Sequence, residues 1–224
     1  MFGLAPLPRT LEAAVRDAGS ERREVRRSAV RDLARHARDS VEAEKTLRRA
    51  LLEDADAEVR ADAALALADA GARLAAPDLC RVAVEDLSTR VRQLALLALG
   101  EIGEAGPPVL AVLEKAGRSE LPEERFQALL ALHQLGANSA KTALIEGMAD
   151  ADAEVRRLAF RVSRAEWSEA VELPPEVREK ARAALTDEDP GVRVAAALAL
   201  ADFGDASGKS LLLEIVQRRS RAAS

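Results

Sequence analysis

Cysteine occurs once, at Cys80, so the chain can close no disulfide on itself and assemble no thiolate metal site. Nothing in its cysteine usage points to an oxidising compartment. Aromatic residues are nearly as scarce, with four Phe, one Trp and no Tyr. That poverty starves a β-sandwich core, whereas a hydrophobic fraction of 48% built from Ala, Leu and Val suits closely packed helices. No apolar run approaches the roughly 20 residues of a membrane span. The opening Met1–Leu7 has no positive flank and meets Pro8 and Arg9 too early for a signal peptide, so a cytoplasmic location is expected. What is present is 224 residues carrying 32% charged side chains and a net charge of −5. A chain of this length buries roughly 70–75% of its unfolded surface and needs no staple.

The sequence repeats itself. Asp54-Ala-Asp-Ala-Glu-Val59-Arg60-Ala-Asp-Ala63 returns as Asp187-Glu-Asp-Pro-Gly-Val192-Arg193-Val-Ala-Ala196, and further copies centre on Arg26, Arg92, Arg125 and Arg156. The six arginines are separated by 34, 32, 33, 31 and 37 residues. Each is followed at +3 by alanine and, in five of six copies, at +7 by leucine; Ser163 is the exception. Apolar residues at −1, +3, +7 and +10 form one helical stripe. Gly71, Gly103, Gly136 and Gly204 at +11 end that helix, and Asp56, Ser88, Asp152 and Asp189 stand at its N-cap. A shorter amphipathic segment precedes each cap, at 8–18, 42–53, 75–85, 108–116, 139–149 and 176–185. Each repeat therefore reads as a hairpin of an A helix and a B helix. Lys209–Arg219 reads as one more A-type helix closing the last layer.

From about residue 8 to residue 204 this pattern resembles the HEAT repeat, in particular the short bacterial form also found in phycobilin lyases. The resemblance implies that the first Asp and the Arg form a hydrogen-bonded ladder between layers. Asp54/Arg60, Asp86/Arg92, Asp150/Arg156 and Asp187/Arg193 match both places. The physical reading gives each arginine the carboxylate six residues before it as partner. Ser20 and Ser119 replace that carboxylate in the first and fourth copies, where the ladder should weaken. The expected fold is all-α: a right-handed α-solenoid of six HEAT-like helical hairpins plus a C-terminal capping helix, forming a single domain over residues 1–224. Six layers at roughly 9–10 Å make a slab about 55–60 Å long. The fifth copy, with Trp167 at the glycine position and Ser168–Pro175 inserted after it, should pack differently.

Catalytic chemistry is sought without success. Gly208-Lys209-Ser210 looks like the tail of a phosphate loop, but Gly204 to Gly208 leaves three residues where the motif needs four, and a helix rather than a strand precedes it. His36 occupies the +10 packing site, and His133 lies beside Leu132. Neither forms a His-Glu pair, so the di-iron hydroxylase that some HEAT-repeat enzymes represent is not expected. Cys80 should pack in the third A helix. No catalytic, cofactor-binding or metal residue is assigned, and the expectation is a non-enzyme without cofactor.

Nucleic acid is the stronger rival, since HEAT-like repeats form the fold of one class of DNA glycosylase. Residues 1–50 carry 12 basic and 8 acidic side chains, a net +4, against −9 for the remainder. Positive charge confined to one layer makes no continuous track, and five aromatics offer few stacking surfaces.

The B helices of such a solenoid line its concave side, where +5 lies nearly opposite the buried stripe. That position holds Arg31, Leu65, Leu97, Leu130, Arg161 and Leu198, with Leu94, Phe126 and Leu158 at neighbouring outward sites. Asp62, Asp69, Glu101 and Asp202 border the row. An apolar row with an acidic rim points to a scaffold or adaptor that binds another protein, through an amphipathic or basic helical segment. The opposing reading buries the leucines between layers. The repeat subtype alone suggests a bilin lyase-type subunit instead.

Overall fold

The computed structural model describes residues 9–222. Every regular element among them is helical. The chain divides into two compact units, residues 1–115 and 116–224. In the first lie α1 (Leu11–Asp17), α2 (Arg23–Leu33), α3 (Val41–Glu53), α4 (Ala57–Ala70), α5 (Ala76–Glu85), α6 (Thr89–Ile102) and nearly all of α7 (Pro107–Ala116). The second holds α8 (Pro122–Gln134), α9 (Ala140–Gly147), α10 (Ala153–Glu166), α11 (Pro175–Ala183), α12 (Pro190–Asp202) and α13 (Lys209–Ala222). The expected hairpins are all present, displaced by no more than about three residues at their ends.

The sequence signals act where they stand. Asp56 accepts from the Glu58 and Val59 amides, Asp152 from Glu154 and Val155, and Asp189 from Val192. Ser88 holds the cap position of α6 without a side-chain cap bond. Gly71, Gly103, Gly136 and Gly204 sit at φ of 65°, 74°, 60° and 73°, the left-handed stop that only glycine takes without strain.

Within the first unit the B helices α2, α4 and α6 pack in succession, each against its own A helix. In the second, α10 lies between α8 and α12. Helices α4 and α10 are thus covered on the A-helix side and on both flanks. In α4, Ala61, Ala64, Ala66 and Ala68 are buried in addition to the expected stripe of Val59, Ala63 and Leu67. Small side chains on the flanks let neighbouring helices approach, and this is why the core is rich in alanine. Fully buried leucines such as Leu67 and Leu99 supply about 1.5–3 kcal/mol each.

The same flank packing corrects one expectation. Leu158, read as outward, is 1% exposed and belongs to the core of the second unit. It stands at +2 on α10, on the flank that a neighbouring B helix covers. The fifth repeat is irregular as expected: Trp167 and Leu173 turn into the same core, and Ser163 Oγ is buried, donating to the Phe160 carbonyl at 2.7 Å. Between those two anchors Ser168–Glu172 is exposed throughout. Gly208 lies in the 3-10 turn that leads into α13, not in a phosphate loop. Cys80 is buried in α5, and burial pushes its thiol pKa up.

Candidate functional site

The repeat arginines form a ladder, but not with the partners that spacing suggests. Four of the six guanidinium groups reach forward to the carboxylate of the next hairpin. Arg26 grips Asp54 at 2.7 and 2.9 Å, Arg60 grips Asp86 at 2.7 and 2.8 Å, Arg125 grips Asp150 at 2.7 and 2.6 Å, and Arg156 grips Asp187 at 2.8 Å twice. The residue six places earlier contributes its backbone carbonyl instead of its side chain. Nη1 donates to the carbonyls of Ser20, Asp54, Asp86, Ser119, Asp150 and Asp187 in turn, at 2.7–3.0 Å. Serine serves there because a carbonyl is all that its own arginine needs. Arg26 and Arg125 are therefore fully engaged, and the expected weakening in the first and fourth copies does not occur on their side. Arg92 adds a bond to Thr89 Oγ1, and Arg193 donates to the Asp187 and Glu188 carbonyls.

Each ladder carboxylate also accepts the amide two residues ahead, Asp86 from Ser88 at 2.8 Å and Asp150 from Asp152 at 2.8 Å. Burial works to raise the pKa of Asp86 and Asp150, but the arginine and amide bonds outweigh it and hold both below the usual carboxylate range. For Asp187 the Arg156 bond is the largest influence, again downward. The ladder fixes the spacing of the hairpins and, with it, whatever the B helices present.

On that B-helix face, Leu65, Leu94 and Leu97 in the first unit are half-buried. So are Phe126, Leu130 and Leu198 in the second, where Phe126 and Leu130 pack against its core. The +5 leucines are thus neither bare nor sealed; each keeps part of its apolar surface in water. Asp69 and Glu101 are exposed beside them, as are Arg31 and Arg161. Asp62 is not a free rim acid. Arg27 holds it at 2.9 Å and Arg31 at 3.0 Å, so it and Arg31 neutralise each other. Asp202 is likewise tied to Arg164 at 2.5 Å.

The basic first layer is matched in the same way. Arg23 meets Asp56, Arg27 also meets Glu58, Arg9 meets Asp17 and Asp32, and Arg38 donates to the Asp69 carbonyl. Arg23, Arg27 and Arg31 of α2 are thus paired with acids of α4 and its cap. His36 Nε2 lies 3.2 Å from the Arg9 carbonyl, a packing role. His133 Nδ1 lies 2.8 Å from Glu166 Oε2, a pairing that the sequence reading did not anticipate. Among the described residues no group of three or more His, Cys, Asp or Glu could hold a metal ion, and no helix is long and apolar enough to cross a membrane.

The reading of the sequence also missed the outer face of α5, where Leu74, Val84 and Leu87 are exposed. Its signal was available: the residue after the ladder position is Glu21, Ala55, Glu120, Ala151 and Glu188 in the other copies, and leucine only at Leu87.

Comparison with known proteins agrees with this architecture. The family described as HEAT repeats matches residues 8–100 and 76–163, and the PBS lyase HEAT-like repeat matches residues 192–218. The Escherichia coli protein YibA is similar in fold, with a TM-score of 0.70 and 18% identity over 92% of this chain and 75% of that one. The complex of CpcE and CpcF of phycocyanin lyase from Nostoc gives a TM-score of 0.60 and 23% identity over 91% of this chain and 79% of that one. An engineered protein gives 0.58 and 23% over 87% and 98%. No curated protein sequence matches. With both the repeat geometry and the family match in place, the chain belongs to the HEAT-repeat family.

Proposed function

We propose that the protein is a cytoplasmic, non-enzymatic scaffold whose B-helix face binds a helical segment of another protein. The observation that carries this reading is the half-buried trio Leu65, Leu94 and Leu97 on the packed helices α4 and α6, beside the exposed Asp69 and Glu101. Partly exposed leucines held at fixed spacing by the ladder offer a preorganised apolar anchor, which lowers the ordering cost of binding. Free carboxylates next to it favour a helix with Lys or Arg flanking its apolar stripe.

The test is a titration of a fluorescent amphipathic peptide with leucines at i, i+3, i+4 and i+7 and flanking lysines, against an acidic-flanked control peptide. The basic peptide should bind and the acidic one should not. Asp69→Lys with Glu101→Lys, both at exposed sites, should weaken binding about tenfold or more while the melting curve stays unchanged. Equal affinity for both peptides, or no binding to either, overturns the proposal.

A second reading, a subunit of a bilin lyase, is favoured by the match of residues 192–218 to the PBS lyase HEAT-like repeat. It predicts a visible absorbance change when the purified protein is mixed with a bilin. An unchanged spectrum removes it.

A further inference from the structure

The outward side of α5, with the turns on either side of it, exposes more apolar surface than the matching side of α3. Leu74, Pro77, Arg81, Val84 and Leu87 follow one another at spacings of three or four residues, and all are exposed. Leu87 is 97% exposed and Leu74 72%. In the preceding hairpin, Glu42 and Lys45 of α3 stand where this face has Leu74 and Pro77, the half-buried Leu52 where it has Val84, and Ala55 of the following turn where it has Leu87. A leucine left wholly in water contributes little to the fold, and Leu74, Val84 and Leu87 are close enough in sequence to form one exposed apolar patch.

Two charges complete the patch. Arg81 and Glu85 stand four residues apart on the same side of α5, both exposed. Neither makes an ion pair among the described residues, although most arginines around them do.

We propose that this face is a two-fold interface with a second copy of the chain. Two-fold symmetry sets the same residues against each other, so the patch must complement itself. The stripe satisfies that condition. When α5 lies antiparallel to its own copy, Val84 meets Val84 of the second copy near the axis and Leu87 covers Pro77. Arg81 then faces Glu85 of the second copy, and the reciprocal pair forms on the other side of the axis. A single-sign patch would repel its copy, whereas Arg81 and Glu85 offer it opposite charges. The contact spans one helix and one turn, small beside the roughly 1,000–1,200 Å² that specific interfaces bury, so weak self-association, in the micromolar range, is expected. It leaves the B-helix face free and does not depend on the function proposed above.

Sedimentation equilibrium from about 1 to 200 μM, a range bracketing micromolar affinity, tests the proposal. The wild-type mass should rise with concentration from 23.9 kDa toward twice that value. Leu87→Asp should raise the dissociation constant at least tenfold. Arg81→Glu alone and Glu85→Arg alone should each stay monomeric, because like charges then face each other twice. Mixed in equal amounts, those two variants should associate again, since one supplies two acids and the other two arginines. The double variant R81E/E85R should also recover the dimer. All the substituted side chains are exposed, and far-UV circular dichroism confirms that each variant is folded. A wild-type protein that stays monomeric throughout overturns the proposal. So does a dimer indifferent to Leu87→Asp, or a mixture of the two charge variants that fails to associate.

Discussion

Arg60 bridges two hairpins: its Nε and Nη2 donate to both oxygens of Asp86, while Nη1 donates back to the Asp54 carbonyl at 2.8 Å. One side chain thus closes its own A–B turn and locks it to the next. Asp86 is 7% exposed in this arrangement. Arg60→Ala should cost about 2–4 kcal/mol, because it leaves a buried carboxylate without its cation. Arg60→Lys should recover only part of that loss, since an ammonium cannot make the two-point contact and the carbonyl bond together. Urea titrations of the three proteins give the comparison.

The forward pairing also ranks the rungs. Arg125 holds Asp150 with two bonds, so Arg125→Ala should cost as much as Arg60→Ala even though its own repeat has Ser119 in place of the carboxylate. Arg193 makes the two carbonyl bonds and no ion pair among the described residues. Arg193→Ala should therefore cost only about 1 kcal/mol. Equal losses at positions 125 and 193 in the same titration would mean that the carbonyl bonds, rather than the ion pairs, carry the ladder.

Acid should loosen the structure through these carboxylates. Asp86, Asp150 and Asp187 are held below their ordinary values, so the stability they contribute is complete above about pH 4 and is lost as pH falls through the folded-state values. Asp205 gives the clearest single case. Ser207 donates to it from both its hydroxyl and its amide, and Arg182 adds an ion pair, which together bring its pKa from 3.8 to about 2. Its contribution should be present at pH 4 and fade between 3.8 and about 2. In a carboxyl NMR titration, Ser207→Ala should move Asp205 upward, yet leave it below 3.8 because the amide and Arg182 stay in place.

Periodicity made the hairpins, the glycine stops and the membership of the ladder legible in the sequence. It could not say which carboxylate each arginine takes. Asp54 and Asp86 both lie within reach of a long side chain, and only the stacking of hairpins brings the second of them closer. Burial of the flanks was hidden for a related reason. An alanine such as Ala61 or Ala64 reads as neutral in a one-stripe pattern, but it is buried where a neighbouring B helix passes. Leu158 was misplaced by the same assumption. The acid rim shrank because Asp62 answers Arg27 and Arg31, which lie 35 and 31 residues away in sequence and beside it in space.

Two glycines are needed for close approach, and they should differ in tolerance. A Cβ on Gly208 would lie 2.8 Å from Ala197 Cα, part of the α12 backbone. On Gly147 it would meet Leu129 Cδ1 at 2.7 Å, the far end of a side chain rather than backbone, and Ala159 Cβ at 3.3 Å. Gly208→Ala should thus cost about 1–3 kcal/mol, and Gly147→Ala less than about 1.5. Thermal melts of the two variants rank them directly.

The fifth repeat gives a prediction against the grain of the family pattern. Four B helices stop at a left-handed glycine, whereas α10 stops at Trp167 with φ of −108°. Making the repeat conform, by Trp167→Gly, would look like a return to the common design. It should instead destabilise by about 3–5 kcal/mol, the usual cost of deleting a large buried aromatic. Trp167 is only 7% exposed and packs in the second unit's core. The left-handed freedom that glycine brings has no use at a φ of −108°, so nothing offsets the cavity. Trp167→Phe should retain most of the stability, because a ring still occupies the site. Urea denaturation followed by far-UV circular dichroism separates the outcomes. A Trp167→Gly protein as stable as the wild type would show that the core closes without the indole.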